Sequence, residues 1–308
     1  MRLFSNETHI DFMGQRRLMA LTLALFIAVS LGSIFFRGLE LGLDFTGGTL
    51  IELSAPEPIE LGLVREALTE GGFADAVVQH FGSTRDLIVR LSPRSGEQSG
   101  ELSKQVLSVL QSASRGTIEM RKVEFVGAQV GDELAEQGGL AMLFALIGIL
   151  IYVALRFEWR LSLGAVLATV HDALFVIGVF SLFRLEFDLN VLASVLAVIG
   201  YSLNDTIVVF DRIRENFRRM RSATVVEVMN ASINQTLSRT LMTGVTTLLV
   251  VVALYFLGGP ALHGFSLVLI IGILIGTVSS IYVASPLALW LGVKRENMVS
   301  AKKPDEAP

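Results

Sequence analysis

The residues with the most chemical potential are ionisable side chains set in apolar surroundings. In the run Gly200-Tyr201-Ser202-Leu203-Asn204-Asp205-Thr206-Ile207-Val208-Val209-Phe210, an amide and an acid fall inside a hydrophobic segment, and Asp211-Arg212-Ile213-Arg214-Glu215 follows directly. An aspartate at the centre of a membrane-spanning helix costs about 2.5 to 3.5 kcal/mol on insertion scales, so it marks an ion or proton path more often than a packing position. Asp205 precedes the charge cluster at Asp211 by six residues, roughly 9 Å of helix, which puts it within a span though not at its centre.

Arg239 is the candidate cation for this acid. A reversal of the chain between the two would bring them to similar depth, and a fixed positive charge that approaches or withdraws would switch the acid between charged and neutral forms. The alternative is a static ion pair fastening two helices. Asn204 and Thr206 flank the acid, and Thr243 and Thr247 continue the Arg239 face at i+4 and i+8. These groups either order a water chain or make interhelical hydrogen bonds of about 0.6 kcal/mol each. His171-Asp172 is a second polar pair inside an apolar segment. A histidine titrates near pH 6.5 when unperturbed, about where a relay toward Asp205 would need it. Neighbours on a helix point about 100° apart, so at most one of the pair faces a given group, and helix-packing polarity or a partner contact is the alternative.

These groups need helices to carry them, and the composition supplies helices suited to lipid. Of 308 residues, 52% are hydrophobic and 18% charged, and mean hydropathy is +0.61. An ordinary soluble domain carries about 25% charged residues, so the balance indicates an integral membrane protein. Six segments have the roughly 20 apolar residues that cross a bilayer core. They are residues 18–36, 139–155, 161–183, 189–210, 240–257 and 265–291, the last with a small-residue seam at Gly272, Gly276 and Ser280 and with Pro286 ending or kinking its regular part. Arg16-Arg17 before an apolar stretch and Ala28-Val29-Ser30 within it faintly resemble a signal peptide, but the stretch outlasts a signal core and reads as a retained anchor.

Lysine and arginine stay on the cytoplasmic side of short loops. Arg2, Arg16, Arg17, Arg156, Arg160, the cluster Arg212 to Arg221, Lys294, Arg295, Lys302 and Lys303 all fall on one side, with Arg184 on the other. The expected arrangement has cytoplasmic termini (1–17 and 292–308) and a cytoplasmic loop at 211–239, in which Val225 to Leu237 forms a short amphipathic interfacial helix. That placement excludes glycosylation of its asparagines. The arginine cluster is foremost a topology signal and secondarily a contact for anionic lipid.

Residues 37–138 form an extracytoplasmic insert. Its expected elements are a strand at Thr49–Ser54, a helix at Ile59–Thr69, a hairpin of Ala76–Phe81 and Asp86–Leu91 across Gly82-Ser83-Thr84, a helix at Gly100–Ala113 and a strand at Thr117–Val126. The order βαββαβ is that of a small α+β, ferredoxin-like domain, which suggests docking and no particular chemistry. The glycine-rich run around Asp44 shapes a turn in this reading, since no P-loop lysine follows.

The net charge of −4 argues against a nucleic-acid partner, and the chain has no cysteine. The four histidines lie far apart, so no metal or other cofactor is expected. No nucleophile set and no nucleotide motif supports an enzyme.

Taken together, four runs resemble the bacterial SecD/SecF family of protein-export membrane proteins, on its SecF side. They are Gly42-Leu43-Asp44-Phe45-Thr46-Gly47-Gly48-Thr49, Val126-Gly127-Ala128-Gln129-Val130-Gly131-Asp132-Glu133-Leu134, the run from Gly200 to Asn216, and Asn234-Gln235-Thr236-Leu237-Ser238-Arg239-Thr240-Leu241-Met242-Thr243. Ala128 is a departure, since proline is expected there. The resemblance covers nearly the whole chain. It implies half of an RND-type transporter in the bacterial inner membrane, with SecD supplying the other half beside the SecYEG channel and YajC as a further partner. It also implies proton flow driving the release of unfolded precursor proteins, and it carries proton-path roles onto Asp205 and Arg239. Two other readings stay open: an exporter of small hydrophobic compounds and a non-conducting scaffold. Sodium stays open beside the proton as coupling ion.

Overall fold

The computed structural model describes residues 8–81, 83–93, 99–113 and 118–298. Gly82 of the expected hairpin, Thr117 of the expected last strand, and Arg2, Lys302 and Lys303 lie outside the described residues. In chain order the elements are α1 (Arg16–Arg37), β1 (Glu40–Leu41), α2 (Leu43–Thr46), β2 (Gly48–Ser54), α3 (Leu61–Glu70), β3 (Val77–Phe81), β4 (Ser83–Leu91), α4 (Ser99–Ala113) and β5 (Glu119–Val126). Then come α5 (Ala128–Arg156), α6 (Trp159–Phe183), β6 (Glu186–Phe187), α7 (Leu189–Arg219), α8 (Val225–Leu257), α9 (His263–Ser279), α10 (Ser285–Trp290) and α11 (Arg295–Met298). The chain divides into two compact units: residues 1–40, 141–185 and 190–308, and residues 41–140 with 186–189.

The first unit is helical. Among the described residues six helices are long and apolar enough to cross a membrane, matching the six expected segments. Small side chains set the close approaches. A Cβ on Gly178 of α6 would collide with Ser30 of α1, and one on Gly164 would lie 2.9 Å from the Ala284 carbonyl oxygen. On α9, Gly272 packs against Val198 of α7, and Gly276 would place a Cβ 3.1 Å from Ser202 Cβ, so the seam read from the sequence is a helix contact. Ser280 instead opens a π-turn, Ser280–Ala284, that ends the regular part of the last span just before Pro286.

Three helices outrun the segments read from hydropathy. The second crossing helix begins at Ala128, not near residue 139. The fourth continues to Arg219 through the charged run, where Arg212–Glu215 (2.8 Å) and Arg219–Glu215 (2.7 Å) pair along the helix. Arg156 and Arg214 likewise pair with Asp211, at 2.8 and 3.1 Å. The separate interfacial helix at Val225–Leu237 does not exist, because those residues are the first turns of the continuous 33-residue α8. Thr224 caps it, accepting from Glu227 N–H while the Glu227 carboxylate accepts from Thr224 N–H. Hydropathy drops where charges begin, but backbone hydrogen bonding continues wherever caps and i,i+4 pairs support it.

The amides of Asn230 and Asn234 clamp the N-terminal arm. Met13 N–H donates to Asn230 Oδ1 (2.9 Å), Ile10 N–H donates to Asn234 Oδ1 (3.0 Å), and Asn234 Nδ2 returns a bond to Ile10 O (2.9 Å). Phe12 and Met13 are thereby buried with Phe210, Phe217, Met229 and Ile233.

In the second unit four strands form one antiparallel sheet in the order β3-β4-β2-β5, the ferredoxin-like topology expected. Ile51, Leu53, Leu87, Val89 and Leu91 alternate onto one face and bury Val64 and Leu68 of α3 with Leu102, Val106 and Leu110 of α4. The two glycines after Thr46 have steric reasons. Gly48 has φ +120° and lies against the Leu91 carbonyl oxygen, while Gly47 (φ +65°) would place a Cβ 2.9 Å from Ala128 Cα. The run therefore shapes a close approach, as read from the sequence.

Candidate functional site

The polar groups of the helix unit lie on α6, α7, α8 and α9. On α7 the inward residues recur at helical spacing through Val191, Val195, Val198, Ser202, Asp205, Thr206, Val209 and Ile213, so Asp205 belongs to the packed face. It is 2% exposed, and its Oδ2 has no hydrogen-bond partner. Asn204, one residue earlier, points out from the chain and is exposed. Neighbours on a helix point about 100° apart, so Asn204 and Asp205 face different directions.

Among the described residues Asp205 and Arg239 are not paired within 4.0 Å, and Asp205 Oδ2 has no hydrogen-bond partner. Arg239 is exposed on this chain and lies within α8, just before its apolar stretch. Thr243 and Thr247 bond back to their own helix, Thr243 Oγ1 to Arg239 O (3.0 Å) and Thr247 Oγ1 to Thr243 O (2.8 Å). Thr206 is fully buried, and its hydroxyl has no partner, nor has that of Thr240 on α8.

Tyr201 escaped the sequence reading. It stands one turn before Asp205, and its phenol oxygen would lie 3.7 Å from a Cβ on Gly244, between Thr243 and Thr247. Its hydroxyl is buried without a hydrogen bond. The i−4 spacing from Asp205 is the signal that could have found it.

His171 and Asp172 form a different arrangement. His171 Nδ1 lies 2.9 Å from Asp172 Oδ1, the imidazole folding back onto its neighbour. Asp172, at 0% exposure, accepts at Oδ2 from Ser202 Oγ of α7 and from Ser279 Oγ of α9, the latter at 2.6 Å. One carboxyl group thus joins three helices. His171 Nε2 is buried and has no partner. The structure therefore brings His171, Asp172 and Ser202 together and sets Asp205 one turn along α7 from Ser202. Among the described residues no three His, Cys, Asp or Glu side chains gather as a metal site would need.

Six crossing helices, two buried aspartates and a small α+β unit define a polytopic membrane protein with titratable groups inside its bundle, the class that contains ion-coupled transporters. Comparison with known proteins narrows the class. The family model described as protein export membrane protein SecD/SecF, C-terminal, matches residues 105–294, and the SecD/SecF GG motif matches residues 32–55. The protein translocase subunit SecF of Pseudomonas aeruginosa is 51% identical over 297 residues, covering 96% of each chain. That of Vibrio alginolyticus is 51% identical over 293 residues, 95% of this chain and 93% of the relative. The crystal structure of SecDF from Thermus thermophilus, a translocon-associated membrane protein, superposes with a TM-score of 0.84 at 40% identity over 94% of this chain. This chain spans 39% of that SecDF chain. The chain belongs to the SecF family of protein translocase subunits.

Proposed function

We propose that this chain couples ion flow, most simply of protons, across the bacterial inner membrane to the late steps of protein export. Both termini lie in the cytoplasm and the α+β unit outside. SecD supplies the second half of the transporter, SecYEG and YajC are neighbours, and unfolded precursors are the cargo. No cofactor takes part.

The observation that carries the reading is Asp205. It is buried and has a carboxylate oxygen without a partner, and no ion pair to Arg239 holds it. An acid so placed can exchange a proton, whereas one locked in an ion pair would hold its charge. Thr206, Thr243 and Tyr201 surround the route near Asp205, and His171 with Asp172 forms a second station through Ser202. One charge crossing 100 mV yields about 2.3 kcal/mol, enough to shift a two-state equilibrium by about 50-fold.

The test is a pulse-chase of a secreted precursor in cells whose only copy is wild type or Asp205→Asn, with equal membrane accumulation checked. Maturation or release slows in the variant if the ionisable group drives export. Wild-type kinetics would leave Asp205 structural and bring the scaffold reading forward.

A further inference from the structure

Residues 8–14, ahead of α1, form an irregular arm that ends in a turn, and two amides of α8 read its backbone. Asn234 exchanges bonds with Ile10 in both directions, while Asn230 accepts from Met13 N–H (2.9 Å) and donates to Asp11 Oδ1 (2.7 Å). The two asparagines are four residues apart and therefore stack on one face of α8. The turn is tight, because Asp11 Oδ1 also accepts from Gly14 N–H (2.9 Å) and a Cβ on Gly14 would collide with that carboxylate. It delivers Phe12 and Met13 into the apolar cluster at this end of the helices.

The arm meets the helices at a constant distance from their polar groups. In the cluster that takes in Phe12 and Met13, α7 contributes Phe210, five residues past Asp205, and on α8 Asn234 stands five residues before Arg239. In the last span Tyr282, three residues past Ser279, meets Phe12 with ring centroids 6.0 Å apart. Asn216 binds Ser232 and Gln235 across the turn between α7 and α8, so the two helices run in opposite directions there. Counting forward on one and backward on the other then leads to the same end of the pair, roughly 7.5 Å along the axis from each charged group.

Helical periodicity adds a second observation. At about 100° per residue, Ser232, Gln235 and Arg239 share one face of α8, and Asn230 with Asn234 occupy the opposite face. The helix is thus gripped from two sides, by Asn216 of α7 on the face that carries Arg239 and by the arm on the other. A helix held so cannot roll about its axis. We infer that residues 8–14 are a strap that registers α8 against α7 and the last span, with Asn230 and Asn234 as its positioning residues, and that it sets the direction of Arg239 relative to Asp205 without a direct pair between them. The strap can open, because Ile10 is 45% exposed and its bonds to Asn234 lie at the surface, where water can replace them. The inference deepens the ion-coupled reading above and rests on it for the strap's use.

The chain has no cysteine of its own, so a single one reports the strap. Met13→Cys, at a position 0% exposed, is introduced into the full chain in native membranes and timed with N-ethylmaleimide. It is expected to be shielded. Asn234→Leu and Ile10→Pro remove the same bond from its two sides, the second without touching α8, and each is expected to speed labelling about tenfold, the size of one lost hydrogen bond. Hydrogen exchange over residues 225–238 is expected to rise in both. Fast labelling with the strap intact overturns the proposal, as does labelling indifferent to both variants. The export pulse-chase then asks what the strap serves. At equal membrane accumulation, Asn234→Leu is expected to slow precursor release and to add nothing to Asp205→Asn, because both act on one step. Wild-type export with the strap released, or a double variant slower than either single one, overturns the positioning role and leaves the ion-coupled reading standing. Wild-type export in Asp205→Asn alone sinks that reading, and the registration of α8 is then decided by labelling and exchange.

Discussion

Asp172 and Asp205 are both buried aspartates of the helix unit, yet their surroundings differ. Asp172 has a partner on each oxygen, drawn from its own helix and from two others, and such bonding fixes the carboxyl group in place. Asp205 has a carboxylate oxygen without a hydrogen-bond partner. The residue type and its apolar context made Asp205 legible in the sequence. The Ser279 contact to Asp172 was not, because 107 residues separate the two and nothing local signals the pairing. The glycines make a sharper prediction at this scale. Gly48→Ala puts a methyl against the Leu91 carbonyl at φ +120° and is expected to cost about 1 to 3 kcal/mol, read as a lower thermal denaturation midpoint in detergent. Gly127→Ala, with no neighbour within 4 Å of the new Cβ, is expected to leave the midpoint unchanged.

At the scale of elements, α8 shows what hydropathy reading misses. Its apolar stretch begins near residue 240, but the helix begins at Val225 because Thr224 and Glu227 cap it. Asn216 of α7 then binds this extension, donating to Ser232 Oγ and Gln235 Oε1 at 2.9 Å each. Arg295 reaches the C-terminal carbonyls of the α7 region at Phe217, Met220 and Arg221, where a cation offsets unpaired acceptors. Thr224→Ala is expected to cost about 1 kcal/mol and to speed hydrogen exchange of the first turn of α8, residues 225–228, while leaving the distant strand β2 unchanged. Exchange unaltered in that turn would show that the extension is held by packing alone. The π-turn at Ser280–Ala284 was equally hidden. It follows Ser279, the donor to Asp172, so the last span loses its regular geometry where it meets the buried acid.

For the whole molecule, the six candidate crossing helices among the described residues are even in number, and the distribution of basic residues leads to the expectation that positions 9 and 296 both face the cytoplasm. The natural absence of cysteine makes the arrangement directly testable. A membrane-impermeant maleimide applied to spheroplasts is expected to label Leu63→Cys of α3, at a position 62% exposed, and to spare His9→Cys and Glu296→Cys until the membrane is opened. The reverse pattern would invert the orientation. By itself the sequence determined the membrane class, the six spans, the βαββαβ order and the candidate acid. Each of these rests on composition or on the periodicity of residues near one another in the chain, which local physics imposes directly. Only the tertiary structure decided which polar groups meet: Asp172 with two serines, Arg90 with Glu186, the N-terminal arm with Asn230 and Asn234, and Arg239 short of contact with Asp205. Those pairings depend on how distant helices and strands are placed against one another, and side chains far apart in sequence carry no mark of it until the packing is complete.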